Sequence, residues 1–134
     1  MLGTEALATG LTTRHGLRTK YRKLHHNVYV PRDMALDAAT RATAAWLWSG
    51  RRATLAGYSA AAMLGSRWLP VDAPAELARL RQPSPPGIVV HSGEIADDEL
   101  TTIGGIRCTT AARACDDMGR RLPVDTGIIR IDAL

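Results

Sequence analysis

Between Leu11 and Pro31 the chain must leave a helix, enter a strand and reverse direction, and its punctuation allows little else. The stretch reads LTTRHGLRTKYRKLHHNVYVP. Gly10 before it suits a left-handed helix stop, with Thr4 as the N-cap of a preceding helix over Glu5–Thr9. Thr12 or Thr13 caps a second helix running to about Tyr21. Then Arg22–His25 and Val28–Val30 alternate as two short extended runs around His26-Asn27, and Asn tolerates the conformation a tight hairpin needs. Pro31 ends the second run. Helix, glycine turn, helix and hairpin in that order make a helix-turn-helix followed by a wing. Gly16 departs from the pattern, because an apolar residue belongs near that position and only Leu17 supplies it.

The same stretch holds the positive charge of the chain. Residues 1–32 carry six Lys/Arg against one acid, Glu5, whereas the other residues carry eleven against twelve. The overall balance of +4 therefore sits in the first quarter. Basic residues interleaved with Tyr21 and Tyr29 are the pattern expected of a nucleic-acid-binding face. Helix N-termini and Arg/Lys contact phosphates, and an exposed helix of about two turns fits a major groove. Thr12, Thr13 and Arg14 would lead, with Arg18 one turn on and Arg22 and Lys23 carried by the strand. The alternative is an ordinary solvated basic surface.

At 134 residues and 46% hydrophobic content the chain can bury a core, built from Leu, Ile, Val, Met and three Trp because Phe is absent. Abundant Ala favours close helix packing. No apolar run approaches the ~18 residues a membrane span needs, and the N-terminus MLGTEALATG lacks signal-peptide architecture. Two cysteines, Cys108 and Cys115, are too few for a disulfide framework, so a reduced cytoplasmic protein is expected.

Beyond Pro31, Asp33 or Asp37 opens a helix over about Leu36–Trp48, stopped near Gly50. A short strand is expected over Ala53–Ala56, then a helix over Ala60–Leu64 capped by Ser59. Trp68, Leu69 and Pro70 suit a packed loop. Strands follow over Ala75–Leu80 and Ile88–His91, separated by the turn segment QPSPPG at residues 82–87. Leu100–Thr109 reads as strand broken by Gly104-Gly105, and Thr110 caps a helix over Ala111 to about Leu122. Pro123 suits the first turn of a last helix, Val124–Leu134, with Val124, Ile128 and Ile131 on one face. The chain stops inside that helix and so reads as the front part of something longer. The expected class is α+β: a short winged-helix-like module over residues 1–32 and a small mixed α/β domain over 33–134.

Catalytic readings are weaker. Gly57-Tyr58-Ser59-Ala60-Ala61 lies where a nucleophile elbow would, but a Ser there is also a normal N-cap. His15, His25, His26, His91, Cys108 and Cys115 have no zinc-ligand spacing. Asp97-Asp98-Glu99 and Asp116-Asp117 are contiguous, unlike the carboxylates that nucleases bring to Mg²⁺ from separate strands. No enzyme activity, metal or cofactor is expected of these residues.

The order GLTTRHGLRTKYRKLHHNVYVP, RATAAWLWSG, AGYSAAAMLGSRW and GGIRCTTAARACDDMGRR resembles actinobacterial members of the type IV abortive-infection antitoxin family. The most specific marks are Ser59-Ala60-Ala61 with Leu64-Gly65, and Thr109-Thr110, Arg113 and Asp116. Asn27 stands where the family usually has Gly, and Ala114 where it has Thr. The resemblance implies a winged-helix-like module ahead of an α+β domain, duplex-DNA binding with autoregulation, a cognate toxin as partner, and Arg14, Arg18, Arg22 and Lys23 as DNA-facing residues. Family members often continue into a very-short-patch-repair-like endonuclease domain. The other expectation is therefore a non-catalytic accessory or interaction domain of a longer endonuclease-like protein.

Overall fold

The computed structural model describes residues 1–66, 69–70, 73–78, 85–91 and 95–121. Trp68, the ends of the expected strand 75–80 and turn 82–87, and the helix expected from Val124 fall wholly or partly outside them. The protein is α+β, as expected. Helices α1 (Gly3–Ala8) and α2 (Arg14–Thr19) precede a hairpin of β1 (Tyr21–His25) and β2 (Val28–Pro31), followed by α3 (Ala38–Trp48). Next come β3 (Thr54–Leu55), α4 (Gly57–Met63), β4 (Ala75–Ala78), β5 (Ile88–His91), a 3-10 turn (Asp97–Glu99), β6 (Leu100–Ile103), β7 (Ile106–Thr109) and α5 (Ala111–Arg121).

The Thr13 hydroxyl caps α2 by accepting from the Gly16 N–H at 3.0 Å. Gly16 itself is buried, and a Cβ there would collide with the Thr12 hydroxyl, which accounts for the missing apolar side chain. Buried Leu17 supplies the packing instead. Asn27 turns the hairpin at φ 59. Met1 and Leu2 pair with β2, through the Tyr29 N–H to the Met1 carbonyl at 2.8 Å and a bridge between Leu2 and Val28. Arg32 ties hairpin to helix: its guanidinium donates to the carbonyls of Arg18 (2.6 Å) and Thr19 (3.3 Å) at the end of α2, where a cation also suits the helix dipole.

Five strands form a mixed sheet in the order β5-β4-β3-β7-β6. The pairs β4–β5 and β3–β7 are parallel; β3–β4 and β6–β7 are antiparallel. Although only two residues long, β3 is central: Leu55 lies opposite Leu77 on one side and Cys108 on the other, all three fully buried. Helices α3, α4 and α5 pack in sequence beside the sheet, and alanines at 42, 45, 60 and 114 let them come close. Helix α3 also packs on both strands of the hairpin, so residues 1–32 rest on the body formed by 33–121.

Two helix starts differ from expectation for one physical reason: their caps come from distant residues. Thr4 lies inside α1, and its N–H donates to the Asn27 side-chain oxygen at 3.0 Å. Ser59 lies inside α4 rather than ahead of it. The carboxylate near that helix start belongs to Glu76 on β4, which accepts from the Tyr58 N–H at 2.7 Å. The Ser59 hydroxyl instead accepts from the Glu76 backbone N–H at 2.9 Å. By contrast, Asp37 caps α3 locally, accepting from the Thr40 N–H at 2.8 Å.

Candidate nucleic-acid interface

Arg14 opens α2 and Arg18 follows four residues later, so the two share a helix face, both exposed. Lys20 and Lys23 are also exposed. Arg22 and Lys23 are successive strand residues and project to opposite faces of the hairpin. Arg22 sits across from buried Val30, half-buried itself; one guanidinium nitrogen donates to the Met34 carbonyl at 2.8 Å, and its Nε is buried without a partner. Lys23 lies across from Tyr29. The structure therefore brings Arg14 and Arg18 together, leaves Lys23 free on the neighbouring strand, and turns Arg22 toward the body of the protein.

Charge is left uncompensated here. Among the described residues Arg14, Arg18, Lys20 and Lys23 make no ion pair. Glu5, the single acid of the first 32 residues, is committed elsewhere: both its oxygens receive Arg51 at 2.8 Å. That pairing holds the Glu5 carboxyl below its ordinary value and raises Arg51. On β1, burial and then the nearby charge of Arg41 lower the His25 pKa, so His25 stays neutral at pH 7 and adds nothing to the field.

No family model matches the chain, and no curated protein does.

Beside the basic face an open apolar groove of about 590 Å³ runs between hairpin and α3, lined among others by Tyr21, Tyr29, Met34, Leu47 and Met63. Both tyrosines that interleave the basic residues in sequence thus line this groove.

Glu76 is 1% exposed, and its second oxygen lies 3.0 Å from His91 Nε2. Gly57, at φ 49, hugs this carboxylate so closely that any Cβ would strike it. The Ser59 hydroxyl meets the strand backbone at Glu76 and, among the described residues, makes no hydrogen bond to a histidine. Arg113 links the end of the 3-10 turn to α5, pairing with Glu99 and Asp117 at 3.1 Å each. Among the described residues no three His, Cys, Asp or Glu side chains gather as a metal site, and no helix is long and apolar enough to cross a membrane.

Sequence order did not signal Arg32 as the tie between helix and hairpin, nor Glu76 as a buried anchor. The available signs were slight: an Arg just after the strand-ending Pro31, and a lone acid within an otherwise apolar strand.

Proposed function

We propose that this chain is a DNA-binding regulator of the antitoxin type, acting in the cytoplasm through a reduced winged-helix-like module and carrying out no catalysis. The observation that carries the reading is the exposed cluster of Arg14, Arg18, Lys20 and Lys23 on α2 and β1, without a counter-charge among the described residues. Arg14 and Arg18 sit where a helix would enter a groove, and Lys23 sits where a wing meets a phosphate. The family resemblance of the sequence points the same way, with a cognate toxin as the expected protein partner.

The test is a titration of duplex DNA at several salt concentrations. If Arg14, Arg18 and Lys23 each neutralise one phosphate, log K falls against log salt with a slope of roughly −3. A triple alanine variant of these residues should flatten the slope by roughly three units. Arg22 is left out because its bond to Met34 would confuse folding with binding. A variant that binds as well as the parent at low salt would reject the reading.

A second reading, an accessory interaction domain of a larger endonuclease-like protein, is favoured by the apolar groove between hairpin and α3. It predicts a chain whose triple variant keeps every binding property.

A further inference from the structure

Three arginines remote from the N-terminal cluster meet in one cleft. It has a volume of about 400 Å³ and is lined by Arg51 and Arg52, from the turn after α3, and Arg107, from β7, with Trp46, Thr102 and Gly105. The parallel pairing of Leu55 with Cys108 draws these segments together. Thr102 and Arg107 are cross-strand partners and share the face opposite buried Ile106 and Cys108. Arg51, Arg52 and Arg107 are all exposed. Only Arg51 has a carboxylate, the two-point contact from Glu5; Arg52 and Arg107 have no ion-pair partner among the described residues.

Three guanidinium groups with one carboxylate leave a net positive hollow. Thr102, with a side-chain hydroxyl, and Trp46 line its walls. Gly105 also lines it, with nothing within 4 Å of where a Cβ would stand. Arg51 also holds a left-handed backbone at φ 63, a conformation that side-chain-bearing residues rarely adopt and that concentrates at functional positions. Guanidinium forks match phosphate oxygens two at a time, and the Glu5 carboxylate already occupies Arg51 in that geometry.

We propose that this cleft is a phosphate-binding site, in which Arg52 and Arg107 grip the anion while Arg51 is shared with Glu5. If the proposed DNA binding holds, the phosphate is that of the same duplex, contacted beyond the N-terminal module. A small phosphorylated molecule offers the same chemistry.

The experiment follows the arginine Nε–H signals and the Gly105 amide by ¹⁵N NMR while pyrophosphate is added, in the parent and in Arg52→Ala/Arg107→Ala. Saturable shifts of Arg52, Arg107 and Gly105 in the parent, and loss of the Gly105 shift in the variant, are expected. The same pair is then titrated with duplex DNA. Roughly a tenfold loss of affinity per arginine at 0.1 M salt, with the salt slope flatter by about one unit each, assigns the phosphate to DNA. Saturable pyrophosphate binding with unchanged duplex affinity keeps the site and assigns it to a free phosphate compound. The pyrophosphate titration needs no DNA, so it separates failure of the cleft from failure of the N-terminal interface. Absence of saturable pyrophosphate shifts in the folded parent overturns the proposal. Both arginines are exposed, and an unchanged thermal midpoint verifies that the variant folds.

Discussion

Ser59 shows how far a single residue can be read from its neighbours. A serine between strand and helix has the local signature of a cap, yet its hydroxyl serves a backbone N–H seventeen residues away. Ser59→Ala should therefore cost about 1–3 kcal/mol by removing the hydroxyl that accepts from the buried Glu76 N–H. Urea unfolding checks this, with hydrogen exchange showing the loosened amide at Glu76 rather than at the start of α4. Gly57→Ala should cost more, because it adds both a left-handed backbone and a collision with the Glu76 carboxylate. Cys108 makes a second case. Burial pushes its thiol up to about 11, so little thiolate exists at pH 8. Iodoacetamide at that pH should leave Cys108 unlabelled in the native protein and label it on unfolding; fast native labelling would show that the strand β7 opens. The strand that carries Cys108 was legible in the sequence, whereas the partner of Ser59 was not, since no spacing rule connects positions 59 and 76.

At the scale of elements, helix and strand positions followed from periodicity and turn residues to within a few residues, and so did the caps of α2 and α3 at Thr13 and Asp37, while those of α1 and α4 did not. Helix α3 is long and has its own cap, Asp37. Helices α1 and α4 are six and seven residues and borrow acceptors from Asn27 and Glu76. Short helices gain little from propensity and depend on tertiary contacts; α1 and α4 draw their starting acceptors from remote residues, whereas the equally short α2 carries its own cap, Thr13. Asn27 has two functions: it adopts φ 59, and its side chain both accepts from the Thr4 N–H and donates to the Thr4 hydroxyl at 3.0 Å. Asn27→Gly should lose only the bonds to Thr4, while Asn27→Ala should lose those and add the backbone penalty, making it less stable than the Gly variant by roughly 1 kcal/mol. Equal stabilities would contradict the turn assignment. Asp37 gives a pH test. The Thr40 backbone N–H, and then its hydroxyl, hold the Asp37 carboxyl below its ordinary value. Its native pKa being lowered, the contribution is complete above about pH 4 and is lost as pH falls through the native value. Asp37→Ala should cost about 1 kcal/mol at pH 7, and the gap to the parent should narrow as pH falls below about 4.

Across the whole molecule, charge looks segregated by chain position but is distributed by folding. Counting residues places the positive excess in the first quarter, and the exposed cluster on α2 and β1 agrees. Positions 51, 52 and 107 contribute a second basic region that no local count reveals, because only the β3–β7 pairing brings them together. Glu5 and Arg51 join the two regions. This ion pair links α1 to the turn after α3, with both side chains about half exposed, so it adds little stability. Its effect is electrostatic: Glu5 occupies a guanidinium that would otherwise add to the basic surface. Glu5→Gln keeps the side-chain shape while releasing Arg51 and removing the single acid of residues 1–32. The variant should unfold at nearly the same temperature, since the exposed pair is weak, yet bind duplex DNA more tightly at low salt. Its log K against log salt should steepen by up to about one unit, as one more arginine meets phosphate. Raising the salt should then erase the difference between variant and parent. Weaker binding by Glu5→Gln at an unchanged unfolding temperature would mean that Glu5 positions the module for DNA rather than competing with it, and that Arg51 contacts no phosphate.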